Sequence, residues 1–460
     1  MARRWKVLTV AAVAVFIGFL DVTIVNVAFP DIQREFSDSS QADLSWVLNA
    51  YNVVFAALLV PSGRLADIVG RKRMFMIGLL VFLAASAACG AAGSVEMLVG
   101  ARIVQAVGGA ILVPTSLALL LPEFPASQRA TATSIWTATG AVAAAVGPSL
   151  GGVLVDQADW RWVFFANIPI GIAALIPARR ILQEHREPGA LPDAVGAVLL
   201  VAGVGLLALG IVKGQDWGWD STRVVASLAA GVLLVPLVIA RSLRHPAPVI
   251  DPSLFRSRSF SVAVAGTFAF SFAFYALILG NVLFLTQVWG WSILSAGFAI
   301  TPGPLMAALS APVGGRLSDR FGQRPVAVPG ALLFAAGSTW FALRLGTTPH
   351  YARDYLAGTL MTGTGVGLSY AAWASAAVAE LPSERFASGS AVVACLRQVG
   401  AVLGIAVLIA VLQSASPADP VGAFASAYTV MAVAALVAAG LGFALGRVRA
   451  VAGRPIPEAA

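Results

Sequence analysis

Gly63-Arg64-Leu65-Ala66-Asp67-Ile68-Val69-Gly70-Arg71-Lys72-Arg73 and Gly315-Arg316-Leu317-Ser318-Asp319-Arg320-Phe321-Gly322-Gln323-Arg324 are two copies of one pattern. Gly, Arg, Leu, Asp and Gly recur in register. Each copy sits between apolar runs of roughly twenty residues, the length that spans the hydrocarbon of a bilayer. With no water at that depth, such a run must be a helix that satisfies its own backbone. Two copies at this separation imply two homologous half-bundles. A weaker echo links Leu121-Pro122…Arg129 with Leu381-Pro382…Arg385.

Working outward, about fourteen apolar runs cover the chain, each long enough to cross a bilayer. Their limits are 8–30, 45–63, 74–93, 96–121, 130–155, 162–180, 194–213, 222–241, 259–287, 293–315, 327–345, 355–379, 386–412 and 424–446. The expected fold is an all-α polytopic membrane protein with an N-terminal half-bundle (1–185) and a C-terminal one (251–450). An inserted two-helix hairpin (186–250) separates them, and a disordered tail (451–460) follows. Only 11% of the 460 residues are charged and 58% are hydrophobic, against about 25% charged in a soluble domain. The net charge of +8 does not point to nucleic acid, because the basic residues cap the apolar runs as topology signals do. With both termini inside, the outer segments hold only Arg34, Arg161, Lys213, Arg223, Arg344 and Arg353 of the 30 Lys and Arg. Trp160, Trp162, Trp217 and Trp219 fall in outer hairpins and read as interface anchors.

Cys89 and Cys395 lie inside apolar runs, so neither a disulfide nor a metal site is expected. His185, His245 and His350 fall in predicted loops, which leaves no histidine as an intramembrane proton carrier. Arg3, Arg4 and Lys6 before an apolar run imitate a signal peptide, but that run continues through Ala28 and contains Asp21 and Asn26, unlike a cleaved segment.

Asp21 lies ~20 Å into the first span at 1.5 Å per residue. A carboxylate at that depth costs about 2.5–3.5 kcal/mol on insertion scales, so it needs a reason. Burial favours the neutral acid, which suits a reversible proton site; the alternative is a structural partner for a neighbouring helix. Arg102 falls at a similar depth, ~21 Å from the inner face. Either it couples to Asp21, directly or through water, or it bonds carbonyls and Gln105 on its own face. Asn26 and Gln105 are candidate polar neighbours. Arg397, with Gln398, lies ~17 Å into the thirteenth span and either meets a polar or anionic part of a substrate or bonds within its own half. Gly147, Pro148, Gly151 and Gly152 let backbones approach closely and permit a bend.

The Gly63–Arg73 segment resembles the signature between the second and third helices of the major facilitator superfamily. Four further segments resemble its fourteen-helix drug:proton antiporter branch of multidrug and antibiotic resistance exporters. They are Leu20-Asp21-Val22-Thr23-Ile24-Val25-Asn26-Val27-Ala28-Phe29-Pro30, Arg102-Ile103-Val104-Gln105-Ala106-Val107-Gly108-Gly109, Gly147-Pro148-Ser149-Leu150-Gly151-Gly152 and Trp160-Arg161-Trp162-Val163-Phe164-Phe165-Ala166-Asn167-Ile168-Pro169-Ile170-Gly171. The resemblance implies a gate formed by Gly63, Arg64, Asp67, Gly70, Arg71 and Arg73, with Asp67 pairing across the half-bundle interface when the inner side shuts. Arg316 and Asp319 are the second copy. It also implies a bending point at the fifth-span glycines. Some relatives that export cationic drugs carry a second buried acid in the C-terminal half, whereas the spans from 259 onward show no acid at mid-depth; this argues against strongly cationic, especially divalent, substrates.

Together these features predict a proton-coupled antiporter in the cytoplasmic membrane, working by alternating access as a monomer. It would need no cofactor beyond the proton gradient, and its partners would be protons, a small hydrophobic substrate and the lipid bilayer. The alternatives are a dedicated exporter of one self-made metabolite or antibiotic, and a proton-coupled uptake symporter, which would need a denser polar cavity. A membrane enzyme is not expected, for want of clustered acid–base or metal-binding side chains at an interface.

Overall fold

The computed structural model describes residues 3–186, 189–381, 386–414 and 419–445. The predicted tail, Pro382 and Arg385 lie outside the described residues. Helices α1 (Arg3–Glu35), α2 (Gln41–Val69), α3 (Arg71–Gly90), α4 (Val95–Leu120), α5 (Ala126–Gln157), α6 (Trp162–Phe165) and α7 (Asn167–Ile181) come first. Then follow α8 (Ala194–Val212), the short α9 (Gly214–Trp217) and α10 (Thr222–Arg244). The last set is α11 (Arg258–Leu283), α12 (Ile293–Ile300), α13 (Pro302–Phe321), α14 (Arg324–Arg344), α15 (Leu356–Val378), α16 (Phe386–Ser414) and α17 (Pro420–Phe443). Twelve described segments are long and apolar enough to cross a membrane; α5 and α15, at 32 and 23 residues, match them in length. With α6 and α7 forming one crossing, and α12 and α13 another, the chain is a multi-pass membrane protein of about fourteen spans.

Helices α1 to α7 pack on one another, chiefly α1 on α5, α3 on α4 and α2 on α4; α11 to α17 do the same, through α13 and α14 on α15 and α11 on α16. The α8–α10 hairpin rests on both sets, with α8 against α2 and α16. Its inner end is fixed by Asp193, the fully buried N-cap of α8, which accepts from Gly196 N at 2.9 Å and Arg241 Nε at 3.0 Å. At its outer end Lys213 Nζ meets Asp43 Oδ1 at 2.7 Å and Asp216 Oδ2 at 3.1 Å. Burial works against this amine's charge, but the bonds to Asp43 and Asp216 hold it above the ordinary lysine range.

Two expectations need correction. The segment read as an inner loop is not one. α2 continues through Asp67 to Val69, and α3 begins at Arg71; Gly70 alone makes the turn, at φ 125°. The second copy repeats this with Gly322 at φ 88°. A side chain is strained at such a φ, and a Cβ on Gly70 would also lie 2.6 Å from the Glu184 carboxyl, which accepts from the free N–H groups of Lys72 and Arg73. Trp160 is not an interface anchor: it is 1% exposed and donates to Glu35 Oε2 at 2.5 Å, while Trp162 and Trp219 are exposed.

The two sets of helices meet at their outer ends. Gly152 presses its backbone on Leu294, a Cβ on Gly297 would collide with the Pro148 carbonyl, and Ser149 Oγ bonds Thr301 Oγ1 at 2.6 Å. Toward the inner end, α1 and α5 instead line an open apolar groove of about 420 Å³, with Trp5, Thr9, Val13, Phe16, Ile135 and Thr139 on its walls. The two sets also meet along α2 and α16, where Gln398 bonds Asn52 at 3.2 Å, and the described contacts close the outer side of the α5–α12 seam. A Ser149→Cys/Thr301→Cys chain, with Cys89 and Cys395 replaced by Ala, should form a disulfide under mild oxidation. The measurement is a non-reducing gel after cleavage at a protease site engineered into the linker between α10 and α11; halves that separate would contradict this outer seal.

Candidate functional site

An enclosed polar cluster in the chain's interior is built around Asp21, on α1, which is 0% exposed. Arg102, on α4, donates through Nη1 to Asp21 Oδ2 at 2.5 Å and to Gln105 Oε1 at 2.6 Å, and through Nε to the Val47 carbonyl of α2 at 3.0 Å. Gln105 lies one turn further along α4. Its Nε2 donates to Asp21 Oδ1 at 2.8 Å and to Ser86 Oγ of α3 at 2.8 Å. Asn167 opens α7 and donates to Asp21 Oδ1 at 3.2 Å. The Tyr51 ring lies under the guanidinium, 4.1 Å from its carbon to the ring centroid. Five helices thus contribute to one polar cluster. Small-residue packing brings them close enough: Gly108 of α4 lies so near the α3 backbone that a Cβ there would sit 2.6 Å from Phe82 N.

Both carboxylate oxygens face donors, and the arginine has a second set of partners in a carbonyl, an amide oxygen and an aromatic face. The consequence is chemical. A proton arriving on Asp21 removes one of Arg102's partners and leaves the others, so the cation is never stranded. The inner groove reaches Phe16, five residues or ~7.5 Å along the helix from Asp21, but does not expose the carboxyl.

Of the residues singled out in the sequence, Asp21, Arg102 and Gln105 come together. Asn26 does not join them: its Nδ2 bonds the Val22 carbonyl of its own helix at 2.5 Å. Five residues at 100° each put it about 140° around α1 from Asp21. Asn167, Ser86 and Tyr51 complete the cluster and had not been singled out; an Asn at the start of an apolar run was the available signal. Gln398 bonds Asn52 of α2 at 3.2 Å, while the half-buried Arg397 has an enclosed Nε with no partner. Asp67 bonds Arg71 within its own half at 2.8 Å. Gly63 lies against Pro114, while Arg64 and Arg73 lie at the inner ends of α2 and α3, and Arg316 is exposed on α13. The side chain of Asp319 lies outside the described residues. α5 is helical straight through Pro148, with Gly147 and Gly151 pressed on Thr23 and Ile24 of α1.

Removing Arg102 alone strands a buried carboxylate, which costs about 3–5 kcal/mol in comparable pairs. Arg102→Leu should therefore lower the unfolding midpoint of the purified protein more than the double variant Asp21→Asn/Arg102→Leu does. Equal losses would mean that the pair is not coupled.

Comparison with known proteins gives a consistent picture. The family model described as Major Facilitator Superfamily matches residues 11–264 and 263–460. The chain is 34% identical over 417 residues to the multidrug resistance protein Stp of Mycobacterium tuberculosis, covering 90% of this chain and 77% of that one. It is 33% identical to the tetracenomycin C resistance and export protein of Streptomyces glaucescens (90% and 76% covered) and 31% identical to the multidrug export protein EmrB of Escherichia coli (87% and 79% covered). Among solved structures, a peptide transporter POT in complex with sulfate superposes with a TM-score of 0.69 at 16% identity, covering 97% of this chain and 96% of that one. That likeness concerns the fold.

Proposed function

This chain belongs to the Major Facilitator Superfamily, and on that premise we propose that it exports small hydrophobic drugs or antibiotics across the cytoplasmic membrane in exchange for protons. The observation that carries the reading is the enclosed Asp21–Arg102 pair. It is a titratable acid sealed from both sides at mid-depth, with donors that suit its ionised form. With Asp21 held by Arg102, Gln105 and Asn167, the arrangement then corresponds to a chain that has released its proton and is ready to take substrate from the cytoplasm. Substrate binding lets the two half-bundles, 1–185 and 251–450, rock about the centre. When the outer side opens, Asp21 takes a proton, Arg102 falls back on Val47, Gln105 and Tyr51, and substrate leaves. Asp67 and Asp319 act as latches that hold the inner side shut in that state, Gly147 to Gly152 as the packed joint on which α5 moves, and one chain suffices.

The driving force is adequate. One proton gains about 2.3 kcal/mol per 100 mV and ~1.4 kcal/mol per pH unit. At one proton per neutral molecule that supports a gradient of a few hundredfold, each ~1.4 kcal/mol being tenfold. A dedicated exporter of one self-made product is the second reading; the tetracenomycin C protein, at 33% identity, is as similar as the multidrug protein at 34%.

The test is proton flux in inside-out vesicles with an acid interior, on addition of neutral, anionic and monocationic antibiotics and dyes. Some compounds should drive protons out through the wild type and not through Asp21→Asn. Undiminished flux in Asp21→Asn would place the proton site elsewhere. No response to any compound in the wild type would remove broad drug export.

A further inference from the structure

Three side chains donate to the Asp21 carboxylate, and they differ in what each can offer once it takes a proton. Oδ1 accepts from Gln105 Nε2 at 2.8 Å and from Asn167 Nδ2 at 3.2 Å, while Oδ2 accepts from Arg102 Nη1 at 2.5 Å. A neutral carboxyl has an O–H of its own, so one of these donors must give way to an acceptor. Arg102 has only donors and cannot supply one. Gln105 has an acceptor, but it is engaged. Its Oε1 takes a bond from Arg102 Nη1 at 2.6 Å, and its Nε2 also donates to Ser86 Oγ at 2.8 Å. Turning that amide over would set its NH2 against the guanidinium. Asn167, at the first residue of α7, is different. It is fully buried, its bond to Asp21 is the longest of the three, and its Oδ1 is enclosed without a partner. The ionisable groups around the site are Arg102 from α4, Tyr51 under the guanidinium from α2, and Cys89 from α3, whose Sγ lies 3.7 Å from Gln105 Oε1. A phenol and a thiol carry no charge through most of the neutral range. Among the described residues, no group of α5, α6, α11 or α12 bonds the carboxyl.

We propose that Asn167 is the partner that follows the proton: it donates to Asp21 as a carboxylate and, with its amide turned over, accepts through Oδ1 from Asp21 as an acid. The inference deepens the export reading and rests on it for Asp21 being the proton site. The arriving proton forms an O–H bond on Asp21 Oδ1, and no other covalent bond changes. Asn167 Nδ2 then occupies the place where Oδ1 now has no partner. The amide therefore has one unmet end in either orientation, so by itself it favours neither protonation state strongly. Gln105 keeps Ser86 and Arg102, and Asp21 Oδ2, now a carbonyl oxygen, holds the guanidinium less strongly. The turn of one amide thus lets the acid change its charge without dismantling the rest of the cluster.

The test is pH-dependent infrared difference spectroscopy on the purified full chain in lipid. The protonated Asp21 carboxyl is the band missing from Asp21→Asn. As that band grows on acidification, a side-chain amide carbonyl should move to lower frequency, because Asn167 Oδ1 gains a hydrogen bond. The amide shift should be absent from Asp21→Asn and from Asn167→Thr, whose hydroxyl can donate or accept and should leave the Asp21 band in place. Asn167→Leu should keep the midpoint of that band within about half a pH unit, since both states lose a partner. A residue that only donates would instead raise the midpoint by about one pH unit or more, the worth of a bond to a charged group. That rise, or an Asp21 band with no accompanying amide shift, overturns the inference and leaves the proton site standing. An amide shift that persists in Asn167→Thr belongs to another residue and overturns it too. No Asp21 band at any pH the folded chain survives would remove the proton site and this inference together. Both signals without drug-driven proton flux would sink the export reading and spare this one.

Discussion

A carboxylate and a guanidinium in contact at the middle of a bilayer constrain everything around them. Neither ion is stable there alone, and each needs its remaining donors or acceptors met. In this chain the demand is met from five directions: α1 brings Asp21, α2 the Val47 carbonyl and Tyr51, α3 Ser86, α4 Arg102 and Gln105, and α7 Asn167. The glycines that let α3 and α4 touch, and α1 and α5 touch, serve the same end, because hydrogen bonds near 2.8 Å tolerate little drift between helices. The N-terminal half is in this sense organised around one charge pair.

The C-terminal half has no such centre. Its one buried acid among the described residues, Asp354, pairs with Arg344 at the outer end of α14, and the contacts deeper in are neutral, such as Tyr428 Oη donating to Asn281 Oδ1 at 2.9 Å and the Ser271–Tyr370 hydroxyl pair. Its interior is a chain of edge-on aromatic rings from Phe334 through Phe270 to Tyr370 and Phe274. The two sets share the repeated Gly-Arg-Leu-x-Asp pattern and its turn glycine of positive φ. Among the described residues the Asp21–Arg102 pair lies in the first set of helices, and the second set has aromatic packing in the corresponding interior.

The spans were legible because hydrocarbon enforces helix, and their limits follow hydropathy closely. What escaped was local. Charges at 64, 67, 71 and 73 read as loop because loops usually carry charge, yet one glycine with positive φ turns the chain and leaves those residues on helix ends. Asp21, Arg102 and Gln105 were legible from depth, since ionised or amide side chains in hydrocarbon need partners. Ser86 and Tyr51 were not, because a serine can bond its own helix and a tyrosine can pack as an aromatic. Asn26 misled through proximity in sequence, where the helix places it on another face.

Among the described residues, the outer seam of α1 and α5 against α11 to α13 is made of glycine backbones, the Ser149–Thr301 hydroxyl pair and an amide contact from Gln287 Nε2 to Gln33 Oε1 at 3.3 Å. None of these groups titrates near neutrality, and none is screened by salt. The strength of that closure is therefore indifferent to the acidity and ionic strength of the medium it faces. It answers instead to what alters packing: temperature, and the lateral pressure and thickness of the surrounding lipid. A chain with this seal would keep its outer door equally firm in fresh or saline surroundings, and its sensitivity to the environment would track the state of the membrane.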